Sequence, residues 1–246
     1  MIPPCPLQPL FQAAAALVPG MVGEIGGAAA GYITPGTDNR AALTALADGI
    51  RARHPQAGQG YWALRSWNML EWQPVVLTLL GVHGLGMLPC LDTLGLRVRG
   101  PMVMGYRLPL HIPARGETPA LIERGGRQLR IVAESLLEDL NGVIRVKPLL
   151  ARRLLADRVL GVLLDLAARR PDLPDDLVED YAQGWLSALN LEGQSALGTI
   201  GWKNGRRRLV LERRACCLAY RSQGGGYCDS CPVLPLKTRI ERVQCH

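Results

Sequence analysis

Four cysteines near the C-terminus constrain this chain more than any other feature, because the fold must bring them together. They are Cys216, Cys217, Cys228 and Cys231, in the pattern C-C-x10-C-x2-C. A structural zinc site usually presents two spaced pairs, with about two to four residues between the ligands of a pair. Adjacent cysteines reach one tetrahedral ion only if the backbone turns between them. A two-iron cluster offers more thiolate positions, so the pattern favours an iron–sulfur centre, with a zinc knuckle as the alternative.

Disulfide bonds are a weaker explanation of these cysteines. The chain has seven cysteines in all, and its first charged residue is Glu24, so no basic region precedes the apolar start. Secreted disulfide frameworks usually contain an even number of cysteines and follow a signal peptide. We therefore expect a cytoplasmic protein whose cysteines are thiolate ligands. Glycines 224 to 226 would let the loop between the two cysteine motifs wrap closely around a metal.

The residues around the cysteines extend the motif. Arg213-Arg214 precedes the vicinal pair, Leu218-Ala219-Tyr220-Arg221 follows it, and Pro232 stands directly after Cys231. Over roughly residues 209 to 236, the chain resembles the FhuF-like family of siderophore-iron reductases.

The resemblance carries expectations about cofactor and activity. It implies a [2Fe-2S] cluster held by Cys216, Cys217, Cys228 and Cys231, and reduction of siderophore-bound iron(III) with release of iron(II) in the cytoplasm. Cys5, Cys90 and Cys245 lie outside the pattern. Cys245 is close enough in sequence to compete for a ligand position.

The net charge of +7 lies entirely in the cysteine-containing end of the chain. Residues 1 to 200 carry 18 basic and 18 acidic side chains, whereas residues 201 to 246 carry ten basic and three acidic ones. Because a four-thiolate cluster is anionic, nearby arginines would favour its reduced form. They would also attract an acidic electron donor or a siderophore with carboxylates. A solvated basic face is the alternative, and no nucleic-acid recognition motif accompanies the arginines.

Composition and periodicity predict an α+β fold that is predominantly helical, with a small antiparallel β element. The chain of 246 residues is 48% hydrophobic, as is typical of an ordered globular protein. Residues 94–112 alternate in character around Gly100-Pro101, which predicts one or two short strands, and residues 207–220 predict a strand leading into the cluster loop. Residues 23–36 and 193–205 are predicted as loops. Helices are predicted at about 7–17, 37–53, 61–70, 74–82, 128–140, 148–170, 175–191 and 237–243.

Two domains are expected. Residues 1–205 form a mainly helical siderophore-binding body that includes the β element, and residues 206–246 form the cluster-binding segment. The uncharged run 72–91 contains two prolines and three glycines, which fit a buried helix and turn better than a membrane span. We expect at most peripheral membrane association.

The leading hypothesis is a cytoplasmic enzyme that reduces a ferric siderophore by one electron from a [2Fe-2S] cluster. The chain has no Gly-rich dinucleotide or Walker motif, so the electron is expected from another protein or a free reductant. The expected environment of cluster and substrate comprises Arg213, Arg214, Tyr220, Arg221 and Tyr227. The alternatives are a non-catalytic iron–sulfur sensor or electron carrier, and a zinc-stabilised binding module.

Overall fold

The computed structural model of the protein describes residues 5–201 and 207–244. The helices in these residues are α1 (Gln8–Leu17), α2 (Arg40–Arg53), α3 (Gly58–Leu79), α4 (Thr118–Asn141), α5 (Pro148–Ala167), α6 (Asp175–Ala188) and α7 (Leu236–Gln244). The strands are β1 (Gly23–Ile25), β2 (Tyr32–Ile33), β3 (Met87–Leu88), β4 (Gly95–Arg99), β5 (Met102–Leu108), β6 (Ala114–Arg115), β7 (Ala196–Gly201) and β8 (Arg207–Glu212).

The strands form three small sheets beside the helices. One sheet has the strand order β1-β5-β4-β2, in which β1 is parallel to β5 and the other pairs are antiparallel. β3 pairs with β6, and β7 pairs with β8, both in antiparallel fashion. The predicted fold class, α+β with helices predominating, is confirmed.

The β element predicted at residues 94–112 is the hairpin of β4 and β5. Arg99 pairs with Met102 at its tip, and Gly100 between them has a φ of 58°. That left-handed conformation is readily available to glycine because it has no Cβ. The turn of the hairpin therefore lies at Gly100-Pro101, as the sequence predicts.

Two segments predicted as loops contain strands, so that prediction is wrong. Residues 23–36 include β1 and β2, which have only three and two residues and show no alternation in the sequence. Residues 193–205 include β7, which pairs with β8 from Ala196 opposite Glu212 to Gly201 opposite Arg207. These strands depend on their partners more than on their own composition. β8 ends at Glu212, so the cysteine pair lies beyond the strand.

The separate helices predicted at 61–70 and 74–82 are one helix, α3, which contains Pro74 and continues into a π-helical turn at Leu80–Gly84. Proline removes one helical hydrogen bond and normally ends or kinks a helix. α3 is buried along most of its length, so its packing offsets that loss. α4 similarly begins at Thr118, well before the predicted start at residue 128.

α3 is the central helix of the core, with α2, α4 and α5 packed against it. Its Trp67 is fully buried and donates its indole N–H to the Ala151 carbonyl on α5, at 3.1 Å. Trp62 and Trp72 are partly buried and also donate to backbone carbonyls. The three tryptophans are therefore core residues, as expected from their size.

The β7–β8 hairpin packs against α5 and delivers the chain to the cysteine segment. Leu209 and Leu211 pack against the core, and Ala215 is buried in it. The domain boundary predicted after residue 205 falls at residues 202–206, outside the described residues. The division into body and cluster segment stays a prediction. Within the described ranges, no helix is long and apolar enough to cross a membrane.

Candidate metal centre

The backbone reverses between the two cysteine motifs. Leu218 has φ 59° and ψ 18°, in the left-handed region that residues other than glycine rarely adopt, and a single 3-10 turn follows at Ala219–Arg221. Gly224 has φ 71°, and a Cβ on Gly225 would overlap the Ala219 carbonyl oxygen. The glycine run therefore permits the close reversal that the sequence predicts.

The four motif cysteines form two nested pairs. The outer pair is Cys216 and Cys231, whose sulfur atoms are 3.7 Å apart. The inner pair is Cys217 and Cys228, whose side chains are in hydrogen-bonding contact. None of the four is in a disulfide bond. Each pair takes one cysteine from each motif, so neighbours in sequence belong to different pairs.

The nested pairs fit a two-iron cluster better than a single ion. Two thiolates bound at about 2.3 Å to one tetrahedral metal lie about 3.8 Å apart, close to the separation of the outer pair. In a [2Fe-2S] cluster with four cysteines, each iron takes two of them, which two pairs supply. Among residues 5–201 and 207–244, no three His, Cys, Asp or Glu side chains are grouped to hold one metal ion. The ligand assignment of the four cysteines stays a prediction.

The thiols differ in acidity because their surroundings differ. The hydrogen bond from Cys228 lowers the pKa of Cys217 to about 5, with help from backbone N–H groups and Arg213. The same bond, together with burial, raises the pKa of Cys228. Burial raises the pKa of Cys216 to about 11. Cys217 therefore ionises to the thiolate, the form that binds a metal, more readily than Cys216 or Cys228.

Arg213 is in direct contact with the cysteines. Its guanidinium Nη1 lies 3.3 Å from Cys228 Sγ, and the group also hydrogen-bonds to Cys217. Arg214, the next residue, is exposed, and its backbone carbonyl accepts a hydrogen bond from Arg153. The two arginines predicted together as neighbours of the cluster thus have different positions.

The predicted aromatic neighbours form a stack at the edge of the loop. The rings of Tyr220 and Tyr227 are stacked, with centroids 4.7 Å apart and planes inclined at 26°. The Arg221 guanidinium lies over the Tyr220 ring at 5.9 Å, and Arg242 of α7 donates to the Tyr227 carbonyl. These contacts brace the reversal of the chain between the two cysteine motifs.

Two buried carboxylates of the helical body lie near the cysteine segment, and the sequence did not predict them. Asp157 on α5 is buried, accepts a 2.6 Å hydrogen bond from Ser195, and lies 3.8 Å from Arg213 Nε. Glu71 on α3 is also buried and lies 3.3 Å from Arg158 Nε. Burial raises the pKa of Asp157 to about 6 and that of Glu71 to about 8.

The helical pattern contains a signal for both carboxylates. Asp157 lies three residues after Leu154 and three before Leu160, on the apolar stripe of α5. Glu71 lies four residues after Trp67 and three before Pro74, among the buried residues of α3. A charged residue among core positions is unusual unless it is paired, so the pattern marks both carboxylates as unusual without identifying their partners.

The remaining cysteines lie apart from the nested pairs or outside the described residues. Cys5 precedes α1, and the backbone N–H of Cys90 donates to His111 Nε2. Neither side chain joins the described cysteine contacts. Cys245 lies outside the described residues. Their expected role as spectators stays a prediction.

Comparison with known protein families identifies the cysteine segment. Residues 213–232 match the family described as FhuF 2Fe-2S C-terminal domain, which covers both cysteine motifs and Arg213. No solved structure matches the chain. Residues 213–232 therefore correspond to an FhuF 2Fe-2S C-terminal domain, and the cofactor is a [2Fe-2S] cluster.

Proposed function

We propose that this protein is a cytoplasmic siderophore-iron reductase. The observation that carries the proposal is the match of residues 213–232 to the FhuF 2Fe-2S C-terminal domain, in a segment where two nested cysteine pairs meet. When bound, the [2Fe-2S] cluster supplies one electron to a ferric siderophore.

The chemistry of release follows from ligand preference. Siderophore oxygens are hard donors that hold iron(III) far more tightly than iron(II). One electron converts iron(III) to iron(II), removes most of the affinity, and leaves the chelator intact. The reaction needs no nucleophile from the protein. The electron comes from a donor protein or a low-potential reductant, which is oxidised by one electron per iron released.

The protein's own residues have three tasks in this proposal. The nested pairs hold the cluster. Arg213 donates hydrogen bonds to the sulfurs of Cys217 and Cys228. The helical body packs against the cysteine segment and so positions it. Hydrogen bonds and positive charge at thiolate sulfurs stabilise the reduced state of a cluster. Arg213 thus makes the centre easier to reduce than its four thiolates alone would.

The test is anaerobic and uses the holoprotein. The protein is reduced with dithionite, freed of excess reductant, and mixed with a panel of ferric siderophores while iron(II) is trapped by a chromogenic chelator. We expect one iron(II) per reduced cluster and reoxidation of the cluster's visible spectrum. Absence of trapped iron(II) with every siderophore would leave the second candidate, an iron–sulfur sensor or electron carrier.

The second candidate is disfavoured by the size and organisation of the body. A carrier has no need of a helical core as extensive as that around α3. The deciding measurement is reoxidation of the reduced cluster by a redox partner protein with no response to any ferric chelate. That result would assign the chain to electron transfer or sensing.

A further inference from the structure

A small polar cavity lies between the helical body and the inner cysteine pair. Its volume is about 130 Å³, and we call it the arginine cavity. Its lining includes three arginines, two other polar residues and a cysteine: Arg65, Arg158, Arg213, Asn68, Glu71 and Cys217. At about 30 Å³ per water, the space suits one carboxylate-sized group, and a whole siderophore is too large for it.

The polar groups of the arginine cavity are only partly satisfied by the protein. Glu71 is 2% exposed, and its Oε2 has no hydrogen-bond partner. Among the described residues, neither the Arg65 guanidinium nor the Asn68 side-chain amide has a hydrogen-bond or ion-pair partner. A buried polar atom is normally paired, so the unpaired Glu71 Oε2, beside two donors that are free to bind, indicates a site for a polar ligand.

The charges around the cavity favour an anion. Arg65 and Arg158 reach the cavity from α3 and α5, and Arg213 reaches it from the segment after β8. Asp157 faces Glu71 from α5 and is already held by Ser195 and Arg213. At neutral pH Glu71 is largely protonated, because burial raises its pKa to about 8. A protonated Glu71 donates a hydrogen bond to an anion instead of repelling it.

We propose that the arginine cavity binds a free carboxylate carried by the ferric chelate, and so places the chelate against the Cys217 side of the cluster. This inference rests on the proposed function for the identity of the ligand. Arg65 is the primary contact, since a guanidinium binds a planar carboxylate through two parallel hydrogen bonds. Glu71 is a second donor. The cavity therefore selects chelates that bear a carboxylate not used for iron.

Binding is tested on the oxidised holoprotein with redox-inert gallium(III) complexes, so that no electron transfer intervenes. A linear trihydroxamate with a terminal amine is used in two forms, N-succinylated and N-acetylated, which differ by one carboxylate. Calorimetry gives the Kd of each complex. We expect the succinylated complex to bind about 10-fold tighter or more to the wild type. Equal Kd values for the two complexes would overturn the proposal.

Variants test whether the preference for the succinylated complex arises in the arginine cavity. Arg65→Gln should bring the ratio of Kd values close to one and leave the affinity for the acetylated complex unchanged. Arg51→Gln is the matched control, because Arg51 is an exposed arginine on α2 that pairs with Asp48. A loss of affinity for both complexes in Arg65→Gln would contradict the proposal. So would full competition by free succinate at the concentration of the complex, since the site would then take any small anion.

The pH dependence of the preference for the succinylated complex distinguishes a specific role of Glu71 from general charge attraction. As the pH rises through about 8, Glu71 ionises and the preference of the wild type for the succinylated complex should fall. Glu71→Gln keeps an N–H donor but cannot ionise, so it should retain the preference and lose its pH dependence. A preference that falls equally in wild type and Glu71→Gln would contradict the role of Glu71. Failure of the reductase proposal is detected separately, as absence of iron(II) release from the acetylated ferric complex.

Discussion

At the scale of single residues, each cysteine of the nested pairs has a distinct position. Cys216 and Cys231 form the outer pair, and Cys231 is 1% exposed. Cys217 and Cys228 form the inner pair beside Arg213. Each of these cysteines also packs within the loop, so replacing one affects both the cluster and the chain around it.

Serine substitution tests the ligand assignment. Single changes of the motif cysteines should abolish or reshape the visible absorption and electron paramagnetic resonance spectra of the cluster, because serine is a poor substitute for a thiolate. The changes are Cys216→Ser, Cys217→Ser, Cys228→Ser and Cys231→Ser. The controls Cys5→Ser, Cys90→Ser and Cys245→Ser should keep the wild-type spectra. An unaltered spectrum in Cys216→Ser or Cys217→Ser would mean that a cysteine outside the motif completes the ligand set.

Arg213 and Arg214 provide a matched pair for the effect of charge on the reduction potential. Arg213→Gln removes a positive charge 3.3 Å from Cys228 Sγ, so the midpoint potential should fall by tens of millivolts, on the order of 1 kcal/mol. Arg214→Gln should change it far less, because that side chain is exposed and screened. Redox titration followed by visible absorption gives both values.

A third variant separates charge from loss of structure. Arg213 also lies 3.8 Å from the buried Asp157 carboxylate, so its removal takes away the ion-pair partner of that group. Arg213→Lys keeps the charge and should restore most of the potential lost in Arg213→Gln. Equal potentials in wild type and Arg213→Gln would assign the residue to packing alone.

Only some residues of the site could be predicted from the sequence. The four cysteines and Arg213 could be singled out because their spacing is specific and local. Glu71, Asp157 and Arg65 could not, since they approach the centre only through the packing of α3 and α5 against the cysteine segment. Periodicity marks such residues as unusual but does not say what they face.

At the scale of elements, long helices and the β4–β5 hairpin were predictable because their patterns are strong. α5 and α6 begin at Pro148 and Asp175, as the proline in the first turn of α5 and the acidic first turn of α6 indicate. α3 was predicted as two helices because Pro74 usually interrupts a helix, and burial overrides that local preference. β1, β2 and β7 were missed because short or glycine-rich strands are stabilised by their neighbours.

The contact of α4 with α6 offers a test of close helix packing. A Cβ on Gly126 would overlap the Cβ of Ala188, so the helices approach each other through the missing side chain. Gly126→Ala should lower the free energy of unfolding by about 1–3 kcal/mol, despite the better helix propensity of alanine. Urea unfolding followed by far-UV circular dichroism measures the change.

Gly116→Ala is the control for this substitution. A Cβ there would come no nearer than 3.9 Å to the Leu121 side chain, and its φ is not positive. Its free energy of unfolding should stay within about 0.5 kcal/mol of the wild type. A destabilisation of similar size in both variants would contradict the packing explanation.

At the scale of the whole molecule, the helical body and the cysteine segment differ in how they are stabilised. The body has a continuous apolar core around α3, to which the segment contributes Ala215. Between Cys216 and Cys231, most side chains are exposed or partly exposed. The segment therefore depends on its cofactor and on contacts with the body, whereas the body depends on its core.

Removal of the cluster tests this division. After chelation of the iron under reducing conditions, limited proteolysis should cut within residues 213–232 while the fragment covering residues 5–201 persists. The holoprotein should resist cleavage at the same sites. Mass spectrometry of the fragments locates the cuts. Rapid degradation of the whole apoprotein would show that the cluster stabilises the body as well.

The nested pairs also determine how the protein would be damaged by air once the iron is lost. The pKa of Cys217 is lowered and its thiol touches Cys228, so an oxidant would join these two first. Cys216 and Cys231 would follow, since their sulfur atoms are already 3.7 Å apart. The result is two disulfide bonds, one enclosed by the other in sequence, which hold the loop closed with no room for iron. Peptide mapping would find 217–228 and 216–231 bridges, and reduction by a thiol would have to precede any repair of the centre.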